Sequence, residues 1–332
     1  MKPVKWGVLG VADHFVKKVF LPARDSDMVE VVAIASRRKE SAQAAAAKLG
    51  IPRAYGSYED LLADKEVEAV YIPLPNHLHV EWIKKAADAG KHVLSEKPLG
   101  LDASQVEEAA DYAQKRGILL MEAFMYRFHP QWRYAHDLVQ TGNLGEIHAV
   151  QSTFFYDNPD PNNIRNIFDA GGGGIYDIGC YAVSTARFLM GREPTRAVAV
   201  VERHPEWKTD ILASAILDFG GAHATFTVGT RTFPDQHVTA LGAGGKLTVE
   251  IPFNTHPDVP VQVHVTDDIG SRSISFGPRD HYGAELEAFS AAIRDGADTA
   301  PTPPSDAIAN QRVLDALFAS EKSGTWEKVK GA

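Results

Sequence analysis

The first part of the chain alternates between short apolar runs and longer amphipathic stretches. The apolar runs are rich in valine, isoleucine and leucine and are continuous, which is typical of strands buried on both faces of a parallel sheet. Strand–helix–strand repetition at this spacing predicts right-handed crossovers within such a sheet. The predicted strands span residues 4–9, 29–35, 67–74, 92–95 and 118–124, and the predicted helices span residues 40–49, 78–89 and 104–116.

The pattern changes after residue 124. Several segments alternate apolar and polar residues, as residues 223–228 do, and such alternation is typical of a sheet with one covered and one open face. Glycines at 220–221 and between 242 and 245 predict hairpin turns. The predicted strands span 148–156, 196–203, 214–219, 222–230, 237–240, 246–251, 261–265 and 273–276, and helices are expected at 131–140, 176–189, 282–294 and 305–323.

These patterns predict an α/β protein with two domains. Residues 1–124 are expected to form a Rossmann-type, doubly wound parallel sheet. Residues 125–332 are expected to form an α+β domain, and its C-terminal helix has the option of packing back on the first domain.

Charge and cysteine content narrow the class of protein. The 34 basic residues are outnumbered by 43 acidic ones, and the net charge of −9 disfavours a nucleic-acid surface. No run of about 18 uncharged apolar residues occurs, so no membrane span is expected. The single cysteine, Cys180, and the scattered histidines predict neither an internal disulfide nor a metal site. The N-terminal segment leaves no room for a signal peptide before the first strand, which favours a cytoplasmic location.

A glycine-containing turn follows the first predicted strand. Gly10 and Ala12 supply small residues where a pyrophosphate would approach the backbone, and a helical pattern follows. Asp13 and His14 belong to the same turn and are further candidates for dinucleotide binding. Phe15 stands where the third glycine of the fingerprint is usual, so the segment alone is equally compatible with an ordinary strand–helix turn.

The end of the second predicted strand carries Ser36, Arg37 and Arg38. An acidic residue at this place would hold the ribose 2′-hydroxyl of NAD. A hydroxyl and two guanidiniums suit a 2′-phosphate instead, because arginine binds phosphate in a bidentate fork. The segment therefore favours NADP(H), with NAD(H) as the alternative cofactor and a solvated helix start as the alternative interpretation.

Two further segments carry side chains with chemistry. Glu96 and Lys97 follow the fourth predicted strand, where open parallel sheets bind ligands, although a surface ion pair is the alternative. Four glycines at 171–174 precede a helical pattern in which Asp177 and Tyr181 are four residues apart and share a face. These two side chains either face a cleft together or serve as a helix-start acid and a core tyrosine.

The combination of these motifs resembles the Gfo/Idh/MocA (glucose–fructose oxidoreductase, inositol dehydrogenase and rhizopine-catabolism) family over nearly the whole chain. The motifs that carry the resemblance are residues 4–10, 73–79 and 96–98 and the glycine run that leads to Asp177 and Tyr181. Residues 122–131 are similar to the branch with NADP-dependent D-xylose 1-dehydrogenases and dimeric dihydrodiol dehydrogenases. Many members have histidine at the position of Tyr181, which makes cyclitol oxidation by a histidine base less expected here.

The resemblance implies a C-terminal domain with a large, open, mostly antiparallel sheet, and homodimers or homotetramers formed through that sheet. It implies that Tyr181 exchanges the hydroxyl proton during hydride transfer, that Lys97 favours its phenolate and that Asp177 positions the substrate or Lys97. Further cofactor contacts are expected from Pro73, Leu74, Pro75, Asn76, His79 and Glu96, and Arg127, His129, Phe155, Tyr156 and Arg165 are expected to line either the substrate pocket or the domain interface.

The leading hypothesis is therefore an NADP(H)-dependent oxidoreductase that oxidises an aldopyranose such as D-xylose at C1, with a cyclic diol as a related substrate. Reduction of a keto-sugar, including a nucleotide-linked one, is the alternative within the enzyme class. A non-catalytic NADP-binding sensor is the alternative outside that class. The joint presence of Lys97, Asp177 and Tyr181 favours an enzyme over a sensor.

Overall fold

The computed structural model describes residues 2–331, which divide into two compact units. The first unit comprises the chain up to Phe128 together with His281–Ile308. The second unit comprises His129–Asp280 and the chain from Ala309 onwards. No helix within residues 2–331 is both long and apolar enough to cross a membrane.

The elements are numbered in chain order. The strands are β1 (Val4–Leu9), β2 (Val29–Ala35), β3 (Arg53–Tyr55), β4 (Ala69–Ile72), β5 (His92–Glu96), β6 (Leu120–Ala123), β7 (Ile147–Asp157), β8 (Arg196–Arg203), β9 (Asp210–Asp218), β10 (His223–Gly229), β11 (Arg231–Gly242), β12 (Gly245–Val249), β13 (Val261–Asp267), β14 (Gly270–Phe276) and β15 (Glu327–Lys328). The helices are α1 (Phe20–Arg24), α2 (Lys39–Leu49), α3 (Tyr58–Leu62), α4 (His79–Asp88), α5 (Ala103–Arg116), α6 (Pro130–Gln140), α7 (Cys180–Met190), α8 (His281–Asp295) and α9 (Pro304–Ser323).

The first unit is built on a six-stranded parallel sheet in the order β3-β2-β1-β4-β5-β6. This order confirms the predicted Rossmann-type fold, and the strand order reverses between β1 and β4, where such sheets bind ligands. Two helices of this unit have well-defined ends. The side chain of Asp102 accepts a hydrogen bond from the Gln105 amide at the start of α5, and Gly50 and Gly117 end α2 and α5 in the left-handed conformation.

Helix α8 belongs to the first unit although it follows the second unit's sheet in the chain. Its Ser290 accepts a hydrogen bond from the Trp6 indole at 3.1 Å, and its Phe289 packs on the same indole ring. Its Arg294 forms hydrogen bonds with the carboxylate of Glu68 and with the Pro3 carbonyl. These contacts join α8 to β1 and to the segment that precedes β4.

The second unit is built on a nine-stranded sheet in the order β14-β13-β12-β11-β7-β10-β9-β8-β15. Neighbouring strands are antiparallel except for β7 and β10, which run parallel. The expected mostly antiparallel sheet is therefore confirmed. Residues of β10 alternate between buried and exposed, and α7 packs against β7.

Two helices begin with a π-helical turn, a rare geometry that is frequently found at functional sites. Phe15–Val19 leads into α1 directly after the glycine-containing turn that follows β1. Ile175–Gly179 leads into α7, so the continuous helix predicted over 176–189 contains this local widening. Both turns lie in segments that the sequence marked as candidate sites.

Candidate active site

The turn after β1 requires glycine at its first small position. Gly10 has a φ of +123°, a conformation that side chains rarely adopt, and a Cβ here would press on the Leu74 side chain at 3.2 Å. Ala12 is half-buried, and the exposed carboxylate of Asp13 binds Lys17 at 2.6 Å. The turn thus offers a compact backbone and no bulky side chain at its first two small positions, as a pyrophosphate requires.

The end of β2 presents a basic patch formed by Arg37 and Arg38, both exposed. Ser36 Oγ accepts a hydrogen bond from the Arg38 amide at 3.2 Å, which fixes the start of the patch. Arg37 also forms a hydrogen bond with the phenol of Tyr58; burial raises the pKa of this phenol, and Arg37 opposes the increase. A hydroxyl and two accessible guanidiniums fit the 2′-phosphate of NADP(H).

Glu96, at the carboxyl end of β5, is the centre of what we call the Glu96 cluster: His14, Tyr71, Glu96, Tyr282 and Glu285. The Tyr71 hydroxyl donates a hydrogen bond to Glu96 Oε1 at 2.5 Å, and His14 Nε2 lies 3.4 Å from the same oxygen. Burial alone would raise the pKa of Glu96, but His14, the charge of Lys97 and the Tyr71 hydroxyl together lower it to about 2. Glu96 is therefore a carboxylate at neutral pH.

Helix α8 supplies the last two members of the Glu96 cluster. The Tyr282 ring meets the His14 ring edge-on at 5.1 Å. Glu285 is 2% exposed, and its Oε1 has no hydrogen-bond partner within residues 2–331. Burial and the nearby Glu96 charge raise the pKa of Glu285 well above its usual range, so this side chain is a neutral acid beside a carboxylate. Sequence reasoning missed both residues, because no local pattern links α8 to the first sheet.

His79, at the start of α4, is fully buried and fixes two loops. Its Nδ1 lies 2.8 Å from the Pro98 carbonyl oxygen, and its Nε2 lies 2.8 Å from the Leu74 carbonyl oxygen. Burial lowers the pKa of this imidazole. Both nitrogens are engaged by the protein, so His79 holds the loop after Lys97 in place of the expected direct cofactor contact. Pro73 is also buried, and Asn76 is half-buried at the start of the next turn.

Arg127 and His129 have internal partners. Arg127, in the first unit, binds Asp306 at 2.9 Å and the Tyr126 hydroxyl at 3.2 Å. Burial would lower its pKa, but these two partners raise it, so the guanidinium stays charged. His129, in the second unit, is 1% exposed and caps α6 by accepting a hydrogen bond from the Gln131 amide. Burial lowers the pKa of His129 to about 4, so this ring is neutral.

Three predicted substrate residues of the second unit do come together, and we call them the Asp177 cluster: Tyr156, Arg165 and Asp177. The Tyr156 hydroxyl donates a hydrogen bond to Asp177 Oδ2 at 2.6 Å, and Arg165 Nε donates one to the same oxygen at 3.0 Å. Burial and the Asp177 charge raise the pKa of the Tyr156 phenol, which therefore remains a donor. The cluster combines a carboxylate, a hydroxyl and a guanidinium, which are the groups that bind polyols by hydrogen bonds.

Tyr181 lies one helical turn beyond Asp177 and is 6% exposed. Its ring packs against Phe154 and Phe253, with ring centroids 5.9 and 4.9 Å away. The two phenylalanines stack on each other at 4.9 Å, so the phenol stands on a rigid aromatic support. Phe253 was missed from sequence, because it lies in a loop without apolar periodicity.

Phe155 does not join the Asp177 cluster. It pairs with Gly229 on one neighbouring strand and Asp235 on the other, in the middle of the sheet. Successive residues of a strand point to opposite faces, so Phe155 lies on the face opposite Phe154 and Tyr156. Phe155 and Tyr156 were both named as residues of either the substrate pocket or the domain interface, and the structure places their side chains on opposite faces of the sheet.

These features define a class of protein: a Rossmann-type dinucleotide domain combined with a mixed-sheet domain that carries polar side chains suited to a hydroxylated ligand. Residues 4–124 match the sequence model of an oxidoreductase family with an NAD-binding Rossmann fold, GFO_IDH_MocA. Residues 132–248 match the GFO/IDH/MocA C-terminal domain. The chain belongs to the Gfo/Idh/MocA family of oxidoreductases, as its motifs indicated.

Two relatives match almost the entire chain. An uncharacterised oxidoreductase of Rhizobium meliloti is 41% identical over 99% of this chain and 100% of its own length. A D-xylose 1-dehydrogenase (NADP(+)) of Haloferax volcanii is 40% identical over 96% of this chain and 98% of its own length. Sugar dehydrogenases are therefore among the relatives.

A solved structure extends the comparison to a reductase. KijD10, a 3-ketoreductase from Actinomadura kijaniata in complex with NADP and TDP-benzene, has a TM-score of 0.88 and 30% identity. The match covers 96% of this chain and 98% of that chain. Structures of KijD10 variants also match, one substituted at a tyrosine and another at a lysine. Both oxidation and reduction of sugars thus occur among the relatives.

Proposed function

We propose that this protein is an NADP(H)-dependent dehydrogenase that oxidises an aldopyranose of the D-xylose type at C1. The observation that carries the proposal is the Asp177 cluster, which lies one helical turn from Tyr181. Its three groups suit a neutral substrate with several hydroxyls. The D-xylose 1-dehydrogenase relative, similar over both units, supports the sugar and the direction of reaction.

The residues proposed to hold the cofactor are those of the β1 turn, the basic patch at the end of β2 and the end of β5. Gly10 and Ala12 would face the pyrophosphate, while Ser36, Arg37 and Arg38 would bind the 2′-phosphate. When bound, the oxidised nicotinamide supplies the acceptor for the hydride that leaves C1 of the sugar. Asp13, His14 and Glu96 remain candidates near this site.

The proposed acid–base group is Tyr181. As the C1 hydroxyl is oxidised, its proton passes to the Tyr181 oxygen, and the sugar leaves as the lactone. A free phenol has a pKa of about 10, so it is a poor base at neutral pH unless a positive charge favours the phenolate. Lys97 is proposed to supply that charge. In KijD10 the substituted lysine and tyrosine are separated by the same number of residues as Lys97 and Tyr181.

The proposal is tested with the purified full chain, NADP+ and a panel of aldoses, followed by the absorbance of the reduced nicotinamide. We expect turnover with D-xylose or a closely related aldopyranose. Trans-dihydrodiols as substrates and keto-sugars with NADPH form the comparison arms. Activity in a comparison arm alone would replace the aldose assignment, and binding of NADP(H) without turnover in any arm would favour a sensor.

Replacing Arg37 with alanine is expected to weaken NADP(H) binding roughly 10- to 100-fold, the worth of one hydrogen bond between charged groups. Binding of NAD(H) should change less than about twofold, because it lacks the 2′-phosphate. Dissociation constants from nicotinamide fluorescence measure both effects. Lys39→Ala, which removes an exposed charge two residues away, is the matched control. Equal losses for both cofactors would overturn the 2′-phosphate assignment.

The open face of the nine-stranded sheet is proposed to bind a second copy of the chain. Val200 is 70% exposed and Ile216 is 40% exposed, although both lie within the sheet rather than at its ends. The same face also carries hydroxyl side chains. Ser214 of β9 and Thr227 of β10, for example, form a hydrogen bond with each other at 2.9 Å. A sheet face of apolar and hydroxyl side chains suits an interface with a twofold-related copy.

Replacing Ile216 with glutamate is expected to weaken self-association roughly 100-fold, because a twofold interface would bury two like charges. Sedimentation velocity of the wild type should give at least twice the mass of one chain, and the variant should dissociate at micromolar concentration. Ile269→Glu, at an exposed hairpin tip, is the control. A monomeric wild type would contradict the proposed interface.

A further inference from the structure

Asp210 is a buried carboxyl that neither the sequence nor the proposed chemistry uses. It is the first residue of β9 and is 1% exposed. Its Oδ2 accepts a hydrogen bond from the amide of Ile175 at 2.5 Å. Ile175 begins the helical segment that carries Asp177 and Tyr181. One carboxylate therefore holds the first turn of the helix on which both proposed active-site residues stand.

The glycine run at 171–174 is shaped around this carboxyl. Gly173 has a φ of +125°, and a Cβ at this position would overlap Asp210 Oδ1. A Cβ at Gly174 would lie 3.3 Å from Asp210 Oδ2. At Gly172 a Cβ would overlap the carbonyl oxygen of Arg165, a member of the Asp177 cluster. The glycines therefore allow close packing within the protein itself.

We propose that Asp210 is a positioning residue of the active site, whose carboxylate fixes the helix start and thereby the orientation of Asp177 and Tyr181. This inference rests on the proposed function. Asp210 touches neither reacting group in this scheme. It acts through the Ile175 amide and through the glycine run, which also packs against the Arg165 backbone.

The groups around Asp210 make its charge depend on pH near neutrality. Arg203 faces it from β8 but is neutralised by Glu321 of α9, which accepts two hydrogen bonds at 2.6 and 2.7 Å. Tyr156 of β7 also interacts with Asp210 electrostatically. Burial raises the pKa of Asp210 to about 6, and the Ile175 amide and Arg203 oppose the increase. Asp210 Oδ1 has no hydrogen-bond partner within residues 2–331. The missing partner adds to the cost of burying the ionised carboxylate and so is consistent with the raised pKa.

The ionised form suits the helix start better than the neutral form. A negative charge at the N-terminal end of a helix is favoured by the partial positive charge of the free amides. Above pH 6 the carboxylate therefore binds the Ile175 amide more strongly, although burial of the charge costs stability. We expect kcat of the wild type to rise as the pH increases through about 6.

The variant Asp210→Asn tests this role, because it keeps the shape of the side chain and removes its charge. We expect kcat at pH 8 to fall roughly tenfold or more, the loss expected when a reacting group is slightly misplaced. The dissociation constant of NADP(H), which depends on the other unit, should stay within about twofold. The rise of kcat through pH 6 should disappear in the variant.

Asp218→Asn is the matched control, because Asp218 ends the same strand and also accepts a hydrogen bond from a backbone amide, that of Gly220. It should retain the wild-type kcat and pH profile. An Asp210→Asn variant with kcat within twofold of wild type, or with the pH 6 rise intact, would overturn the proposal. Parallel losses of kcat in both variants would also overturn it, since they would indicate a purely structural effect.

The pH dependence of stability is a second measurement for which the direction of the effect can be predicted. The folded-state pKa of Asp210 is raised, so the folded protein binds more protons than the unfolded chain between about pH 4 and pH 6. The contribution of Asp210 to stability therefore decreases as the pH rises through this window. Relative to wild type, the melting temperature of Asp210→Asn should increase from pH 4 to pH 7, while its activity is lower. If the difference in melting temperature between Asp210→Asn and wild type were the same at pH 4 and pH 7, this would contradict the raised pKa of the buried Asp210 carboxyl group.

Hydrogen exchange separates this inference from the proposed function. In Asp210→Ala, peptides that cover residues 171–181 should exchange faster than in wild type, with little change in residues 39–49 of the first unit. This result does not depend on any substrate, so it stands if the aldose panel shows no turnover. Unchanged exchange at 171–181 in a folded variant would overturn the positioning role. If the alanine variant does not fold, the same comparison is made with Asp210→Asn at pH 8.

Discussion

Replacing Tyr181 with phenylalanine is expected to lower kcat for sugar oxidation roughly 10²- to 10⁴-fold, the range that a positioned acid–base group contributes. The ring remains, so its packing against Phe154 and Phe253 is retained and the fold should be unaffected. Only the oxygen that takes the hydroxyl proton is lost. Steady-state kinetics measure the change, and nicotinamide fluorescence should show unchanged NADP(H) binding.

Tyr176→Phe is the control for this prediction. Tyr176 lies in the same helical segment but packs against Phe318, so loss of its hydroxyl should leave kcat within about twofold of wild type. If Tyr181→Phe kept more than half of the wild-type kcat, the acid–base role would belong to another group.

Replacing Lys97 with methionine is expected to lower kcat roughly 10²-fold, comparable to the loss of one preorganised donor at a reacting oxygen. Methionine keeps the length of the side chain and removes the ammonium. Without that charge the proposed phenolate is harder to form. The rise of kcat with pH that reflects Tyr181, which is separate from the rise at about pH 6 assigned to Asp210, should therefore shift towards the range of a free phenol, about 10. Rate measurements across pH test both effects.

Lys84→Met is the matched control, since Lys84 of α4 is half-buried and binds Glu108 of the neighbouring helix α5. Its kcat and pH profile should equal those of wild type. A Lys97→Met enzyme with a lower kcat but an unshifted pH profile would assign Lys97 to substrate orientation, and one with wild-type kcat would remove it from the active site.

The first sheet was predictable because burial on both faces leaves a strong signal. Val4–Leu9 and Val29–Ala35 were predicted to the residue, since each is a mainly apolar run with a single charged residue, Lys5 or Glu30, near its start. Strand β3 was missed, because its three half-buried residues, Arg53–Tyr55, form no apolar run. Helix α3 was missed as well, since five residues after the Ser57 cap are too few for a periodic pattern.

The strand pairing of the second sheet was harder to predict from the sequence. The alternation in β9 and β10 and the glycines between them correctly indicated a hairpin. The parallel pairing of β7 with β10 depends on contacts between segments far apart in the chain, which no local pattern records. The face on which Phe155 lies follows instead from the alternation of side chains along β7, which was not applied when Phe155 and Tyr156 were named in one group of candidates.

The candidate site was predicted where motifs mark it. Tyr156, Arg165 and Asp177 were all named as substrate-binding candidates. In the structure, Tyr156 and Arg165 both donate hydrogen bonds to the same carboxylate oxygen of Asp177. Asp210 and Glu285 left no signal, because a single acidic residue at the start of a strand or within a helix is ordinary in sequence. Their importance arises from burial, which depends on the complete fold.

The position of α8 in the chain has a consequence for how the protein folds during synthesis. Domains generally fold as the ribosome releases them, N-terminal first. Here Trp6 and Glu68 cannot form their hydrogen bonds with Ser290 and Arg294 until α8 has been translated. The nucleotide-type unit is therefore complete only when nearly the whole polypeptide has emerged. The nine-stranded sheet is translated before that moment, so the order of translation and the order of completion differ.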